Sequence, residues 1–452
     1  MKSRMPAFWA LLPALAFGAE APGPPPLPAD LGDLLRQAEV LSPAIRAAGA
    51  RLEAARSRPS QAGAPPDPEV SLSYLNDGVS RFTYGENEFS ALSLTWTQEI
   101  PYPGKLRRSG EVATFAAEGA EKDRERVRFQ VRAAVAAAYA DLHRLDRTFI
   151  ILAESHDTLV SLEQSARRRY EVGEGIQESV LKAQTGILRL EAEMARVSED
   201  RRAAESRLNA AIGRAAGTPI GPAEAMPEGG LTGDEEALQE EAVAASPEIG
   251  ALAAAVRGGE SGVILARLDL KPDFIWSASY QNRDGLDPMV MGSFGLRLPL
   301  HRARKQAQAV SEKESELVAA QQDLADLQAR TRASVRETVS RVRRAERLLA
   351  LFKQGIVPQA ASTLESAQAS YRSGRIGFLD VLNDLMSLLE ARIDQAAQAS
   401  ERLQALAALE PLLARELIQA PAGNAGVVLP AGASREAGEP PAGTGGEHGT
   451  DR

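Results

Sequence analysis

The sequence predicts a mainly α-helical protein with a small β part: long coiled-coil helices and four amphipathic strands, written out twice along one chain. Three observations carry this. First, Tyr170-Glu-Val-Gly173 followed by Val180-Leu181 recurs about 200 residues later as Tyr371-Arg-Ser-Gly374 followed by Val381-Leu382. Second, no proline interrupts the Ala/Glu/Arg/Leu-rich stretch from Gly104 to Thr218. Third, four short segments alternate between apolar residues and mostly small or polar ones.

The repeat has weaker landmarks in the same order. Ser42-Pro43 matches Ser246-Pro247, Pro66-Asp67 matches Pro272-Asp273, and Ile100-Pro101 matches Leu298-Pro299. Ordered self-similarity of this kind marks a duplicated structural unit. Each half reads as a helix, two strands, a very long helix and a further helix. The expected layout is a first repeat at 31–220, a linker at 221–234 and a second repeat at 235–418.

The ends read differently. Residues 1–18 carry Lys2 and Arg4, an apolar stretch and small residues at Ala16 and Gly18, with Ala19 next, the pattern of a secretory signal peptide. A Pro-rich linker follows at 19–30. Residues 419–452 are Gly, Pro and Ala with scattered charge, too poor in apolar side chains to order themselves.

Composition excludes several classes. With no cysteine among 452 residues, disulfides, thiolate metal sites, thiol nucleophiles and a lipidated cysteine are impossible. A net charge of −9 opposes binding to nucleic acid. With 25% charged residues and no interior apolar run of about 20, the chain is not a multi-span helical membrane protein.

In the first long helix Val131, Val135, Ala138, Leu142, Leu145, Phe149 and Leu152 form a coiled-coil seam. A helix from about 104 to 170 would be on the order of 100 Å long, so the object is a rod or tube rather than a globule. Leu317, Leu324, Val335, Val342, Leu349 and Ile356 carry the matching stripe, with a kink or break expected between Gly355 and Pro358.

The strands are more informative. Val70, Leu72 and Tyr74 alternate with Ser71 and Ser73, and Leu92, Leu94 and Trp96 with Ser93, Thr95 and Thr97. Phe274, Trp276, Ala278 and Tyr280 alternate with Ser277, Ser279 and Gln281; Phe294, Leu296 and Leu298 alternate with Ser293, Gly295 and Arg297. Behind a secretion signal, one apolar face and one small polar face fit strands of an outer-membrane barrel, with Tyr74, Trp96, Phe274, Trp276 and Tyr280 as lipid-facing aromatics. A soluble hairpin on a core would alternate in the same way. Four strands cannot close a barrel, and an open edge in hydrocarbon leaves backbone groups unpaired. The chain must therefore oligomerise: two copies supply eight strands, three supply twelve and an aqueous lumen, which the small inward residues favour. The polar connections at 76–88 and 282–288 suit the outer surface, and the long helices then project into the periplasm.

These landmarks resemble the TolC-type outer-membrane factors, over residues 30–418. The resemblance rests on the duplication, on Gln98-Glu-Ile-Pro101-Tyr-Pro103-Gly104-Lys105 after the second strand, and on Tyr-x-x-Gly followed by Val-Leu in both halves. It implies a homotrimer with a twelve-stranded barrel and a periplasmic α-helical barrel. The function it implies is an exit duct for a tripartite efflux system. Its expected partners are a periplasmic adaptor, an inner-membrane pump of the resistance-nodulation-division (RND) or ABC type, and outer-membrane lipid. Tyr170, Val172, Gly173, Glu174, Tyr371, Ser373, Gly374 and Arg375 would form the periplasmic tip where the adaptor docks. The Pro-x-Pro-Gly-Lys variant is similar to members paired with heavy-metal RND pumps. Drug efflux, type I protein secretion and a secreted structural coiled coil are the alternatives.

Around a threefold bore, Glu178, Asp380 and Asp384 could form rings of carboxylates favouring cations; they read equally well as solvated surface charges. Enzyme motifs are missing, and no cofactor or resident metal is expected. His156, on the extended seam, reads as a packed polar residue. Met289 and Met291, near an outer loop, are soft-ion ligand types without a third partner.

Overall fold

A computed structural model describes residues 29–86, 88–224, 226–227, 230–231 and 233–418. The signal peptide, most of the Pro-rich linker and the C-terminal tail lie outside the described residues.

Helices α1 (Leu31–Leu41), α2 (Pro43–Arg56) and α3 (Arg58–Gly63) precede strands β1 (Glu69–Leu75) and β2 (Ala91–Ile100). Then come α4 (Lys105–Glu171) and α5 (Gln177–Ile212). The second half runs α6 (Glu235–Ala245), α7 (Pro247–Leu268), β3 (Asp273–Asn282), β4 (Met289–Arg297), α8 (Gln306–Leu351), α9 (Val357–Arg372) and α10 (Phe378–Leu413). One helix was expected before each strand pair, and the chain has more. Pro43 and Pro247 open new helices after Ser42 and Ser246, because proline fits the first helical turn but not the interior.

The duplication is kept in length. Helix α4 has 67 residues, about 100 Å at 1.5 Å per residue, and α5 and α10 have 36 each. The span Gln306–Arg372 matches α4, except that residues Phe352–Ile356 form a π turn. The expected break at Gly355–Pro358 is thus a local widening, and the helix continues. Its wider winding leaves Pro358 at the start of α9, where its missing N–H does no harm.

Val135, Leu142, Leu145 and Leu152 of the first seam are buried, as are Val335 and Val342 of the second. Phe149 and Ile356 are exposed instead. Helix α4 packs on α5, α7 and α10 and buries Thr148, Ile151 and Leu152 around this turn, so its covered surface is not the single heptad stripe and Phe149 is left exposed. At Ile356 the additional residue of the π turn shifts the phase of the stripe by about 100°. Helix α7 is long and apolar enough to cross a membrane, but it lies between α4 and α8.

The four strands form one antiparallel sheet in the order β1-β2-β3-β4, so the two hairpins join at β2–β3, across the repeat boundary. All the helices connect at one end of the sheet and both hairpin loops at the other. Register places Val70 opposite Trp96, Trp96 opposite Ala278, and Trp276 opposite Phe294 on one face. Ser71, Thr95, Ser279 and Met291 share the other face. The apolar face is bare, with Leu72 and Phe294 each more than 60% exposed, while Ser93 and Ser279 on the other face are buried. A sheet that leaves its large apolar residues bare while the serines of its two central strands are the covered ones is inverted relative to a water-soluble one, as lipid requires.

A charged lock joins sheet to rod. Gly104 adopts φ +96°, which lets the chain turn from β2 into α4. Lys105, the next residue, places its Nζ 2.8 and 2.9 Å from the two carboxylate oxygens of Asp273 and 3.1 Å from Asp269. Asp273 also accepts the Tyr102 N–H at 2.8 Å. The Gly-Lys of the first repeat and the Pro-Asp of the second are therefore one contact. Burial would lower the Lys105 ammonium, but its hydrogen bonds to Asp273 and Asp269 hold it above the ordinary lysine value.

Midway down, the linker is a belt. Ala29 pairs with Ala223, the buried Tyr139 donates its hydroxyl to Glu224 O at 3.0 Å, and Asp146 accepts the Ala223 N–H. Nearby, the buried Glu410 accepts the N–H groups of Leu417 and Ile418 at 2.8 and 2.9 Å and faces Arg132. The chain's last described residues are thus tied to α4 and α10.

Two outcomes follow. Lys105→Met leaves Asp273 and Asp269 without their cation and should cost about 3 kcal/mol, read as a lower unfolding midpoint; Lys105→Arg should recover part of it. His143 on α4 is pushed below the ordinary histidine value by burial and by Arg147, against the opposing pull of Asp146. A depressed base contributes stability above its unfolded value near 6.5 that is lost as pH falls through its folded value. Acidification below pH 6 should therefore destabilise the wild type more than His143→Gln; equal acid sensitivity would refute this.

Candidate functional site

Two regions can carry function, the sheet and the far end of the helices. At the sheet's outer end Tyr74 stacks on Phe82 with centroids 4.5 Å apart, and Tyr84 lies beside both. At the helical end Trp96 and Trp276 meet edge to face at 5.0 Å, and Phe274 stacks with Phe294 at 5.9 Å. Amphipathic rings prefer the two membrane interfaces, and these groups sit at the two ends of the apolar face. Strands of 9 or 10 residues tilted by about 40° span roughly 25 Å, the height of an outer-membrane apolar band. Tyr280 lies on the same face, opposite Leu94 and Val290.

The outer loop is held by Asn76, whose amide nitrogen donates to the Gly78 and Arg81 carbonyls at 2.7 Å while its oxygen accepts from the Thr83 N–H. On the polar face the hydroxyls of Ser277 and Ser293 lie 2.7 Å apart, and Thr95 donates to Ser279 at 3.1 Å. Met289 and Met291 lie opposite Gln281 and Ser279, on this polar face rather than toward lipid. Alternation alone does place them there, once the register of β4 is known.

At the opposite end α4 turns into α5 through residues 172–176, and α9 into α10 through 373–377. Gly173 and Gly374 take φ +81° and +73°, the left-handed geometry that favours glycine. The two turns meet. The Arg169 guanidinium lies 4.6 Å from the Tyr371 ring centroid and donates to Arg372 O at 3.0 Å, and Tyr371 packs edge-on against Phe378. Between them is a cleft of about 680 Å³ whose lining includes Glu174, Ile176, Gly374 and Asp380.

The two tyrosines of the repeat are not equivalent. Tyr371 is buried under Arg169, whereas Tyr170 is exposed together with Val172, Glu174, Ser373 and Arg375. Arg169 escaped the sequence reading because its role depends on the other repeat; a cation one residue before the first tyrosine was the only trace.

The three acids are separated. Asp380 accepts the Gly377 N–H at 3.1 Å and so caps α10, Asp384 lies beside Ser366 and Ser370 in the groove with α9, and Glu178 pairs with Lys182 at 2.7 Å. His156 is half-buried with Nε2 3.6 Å from Glu191 of α5. Among the described residues no three His, Asp or Glu side chains are placed to hold a metal ion.

Comparison with known proteins fits this geometry. Similar solved structures include the outer-membrane protein VceC of Vibrio cholerae, with TM-score 0.73, 22% identity, and 85% of this chain and 95% of that chain covered. CusC gives TM-score 0.74 at 14% identity over 86% and 92% of the two chains. The open-state MtrE channel of Neisseria gonorrhoeae gives 0.72 at 16% over 85% and 88%. At such identities the likeness shows the fold. No curated protein matches in sequence. The family model "Outer membrane efflux protein" matches residues 34–214 and 238–415, one stretch in each repeat. Channels of this family are trimeric, non-enzymatic, and work with adaptor and inner-membrane pump partners. The chain belongs to the outer membrane efflux protein family, as an exit duct of the outer membrane with its helical part in the periplasm.

Proposed function

We propose that this duct carries metal cations, delivered by an RND-type pump through a periplasmic adaptor that docks on the tip turns. The observation that carries the cargo is the pair Met289 and Met291 on the polar face of β4, among serines, glycine and glutamine. Thioethers are soft, weak ligands, suited to ions that must leave again. Asp380 and Asp384 near the tip, neither in an ion pair among the described residues, add negative charge at the opposite mouth, supporting cation entry. The Pro101-Tyr-Pro103-Gly104-Lys105 stretch supports the same pump class through family resemblance.

Deletion should sensitise cells to copper, zinc, cobalt or nickel salts and leave drug tolerance unchanged. Unaltered metal tolerance with increased drug sensitivity would assign the duct to drug efflux, and loss of a secreted protein would assign it to type I secretion. Met289→Leu with Met291→Leu should impair export of soft copper more than of zinc.

Docking is tested at the turns. Gly173→Ala and Gly374→Ala force a side chain into left-handed geometry at about 1 kcal/mol each. Each should weaken capture of the adaptor by about fivefold, while the trimer keeps its heat-modifiable migration on a gel. Undiminished capture by the double variant would place the dock elsewhere.

A further inference from the structure

The two repeats differ where the strands leave the membrane. In the first, every cation is paired within the protomer: Lys105 with Asp273 and Asp269, Arg107 and Arg108 with Glu111. In the second, no acidic residue occurs between Asp287 and Glu312. Lys271, Arg302, Arg304 and Lys305 are exposed there, and none has a carboxylate within 4 Å among the described residues. Arg302 donates to Leu270 O, a neutral partner, and Arg297 is paired with Glu99.

Lys271 and Lys305 line a cleft of about 530 Å³ together with His301 and Gln306; Asp269 and Asp273 line it too, both already paired with Lys105, while Arg302 and Arg304 lie outside the lining on the turn beside it. Gln306 contributes a buried amide oxygen with no hydrogen-bond partner. Helix α8 begins here with no acid in its first turn, so its positive end is uncompensated. Leu298 and Leu300 form the membrane-side lip of the cleft, 56% and 83% exposed. Leu298 continues the alternation of Phe294 and Leu296, the lipid-facing side of β4. Apolar residues running into unpaired cations at the end of a transmembrane strand match one amphiphile, with acyl chains on one side and an anionic headgroup on the other.

We propose that this cleft binds an anionic glycerophospholipid of the periplasmic leaflet. Lys271 and Lys305 meet its phosphate, Arg302 and Arg304 on the adjoining turn add positive charge beside the mouth, Gln306 accepts from a headgroup hydroxyl, and Leu298 and Leu300 contact its acyl chains. The trimer then carries three such sites around its waist, between barrel and rod. The site rests on insertion of the strands in the outer membrane and is independent of the cargo. Recovery of the protein outside the outer-membrane fraction would refute insertion, and the titrations below address the site alone.

The full-length trimer in detergent is titrated with phosphatidylglycerol, phosphatidylcholine of the same chains, or inorganic phosphate, and its unfolding midpoint is followed. Phosphatidylglycerol should raise the midpoint and the other two should not. Neutralising the four cations (Lys271→Gln, Arg302→Gln, Arg304→Gln, Lys305→Gln) should weaken the response on the order of 100-fold, each cation contributing up to about fivefold at an anionic surface. The lipid-free midpoint should be unchanged. Leu298→Ser with Leu300→Ser should also weaken the lipid response. An equal effect of phosphatidylcholine, saturation by inorganic phosphate, or an undiminished response of the four-cation variant would overturn the site. Dissociation of that variant without lipid would also overturn it, by assigning the cations to Asp67 and Glu69 of a neighbouring copy.

Discussion

An unpaired backbone amide has no partner in hydrocarbon, and this constraint governs the rest of the molecule. The sheet ends at β1 and β4, whose outer edges find no further strand among the described residues. Lipid on the apolar face and open edges cannot coexist unless other copies supply the missing hydrogen bonds. The family's trimer does so with twelve strands, and the threefold axis then passes down a lumen lined by the small hydroxyl face. The helices inherit that symmetry, since each leaves the sheet at the same end.

Duplication supplies the parts in matched lengths, but the working contacts are those that break its symmetry. Lys105 of the first repeat is locked to Asp273 of the second, so the rod cannot swing free of the barrel. Arg169 covers Tyr371 while Tyr170 stays bare, so the two hairpin turns offer different surfaces at the tip. Below the membrane, one repeat pairs its cations and the other leaves them open. Identical repeats would give a sixfold surface; these differences reduce it to a threefold one with distinct sites.

Absence of enzymatic chemistry agrees with this design. A duct needs a bore, a membrane belt and docking surfaces, and the polar side chains accordingly do structural work. Asp380 caps a helix, Asn76 folds the outer loop, and Glu410 gathers the chain's C-terminal segment against α10.

The sequence by itself determined the duplication, the length of the rods, the inverted alternation of the strands and the need for more than one copy. The duplication shows as a recurrence about 200 residues apart, and the rest follows from a local period, 2 for strands and 3.5 to 3.6 for helices, that one chain displays without knowing its partners. Tertiary structure decided what those periods leave open. The partners of Lys105 and Tyr371 are about 170 and 200 residues away in sequence, and no local pattern encodes such pairings. Phe149 and Ile356 fit the heptad and still face outward, because a helix shared among several neighbours, or widened by a π turn, changes which side is inside. Asp380 and Asp384 have the spacing of one helix face, yet a backbone amide claims the first and the α9 groove the second. Whether a charge is free or spent depends on what the fold brings beside it.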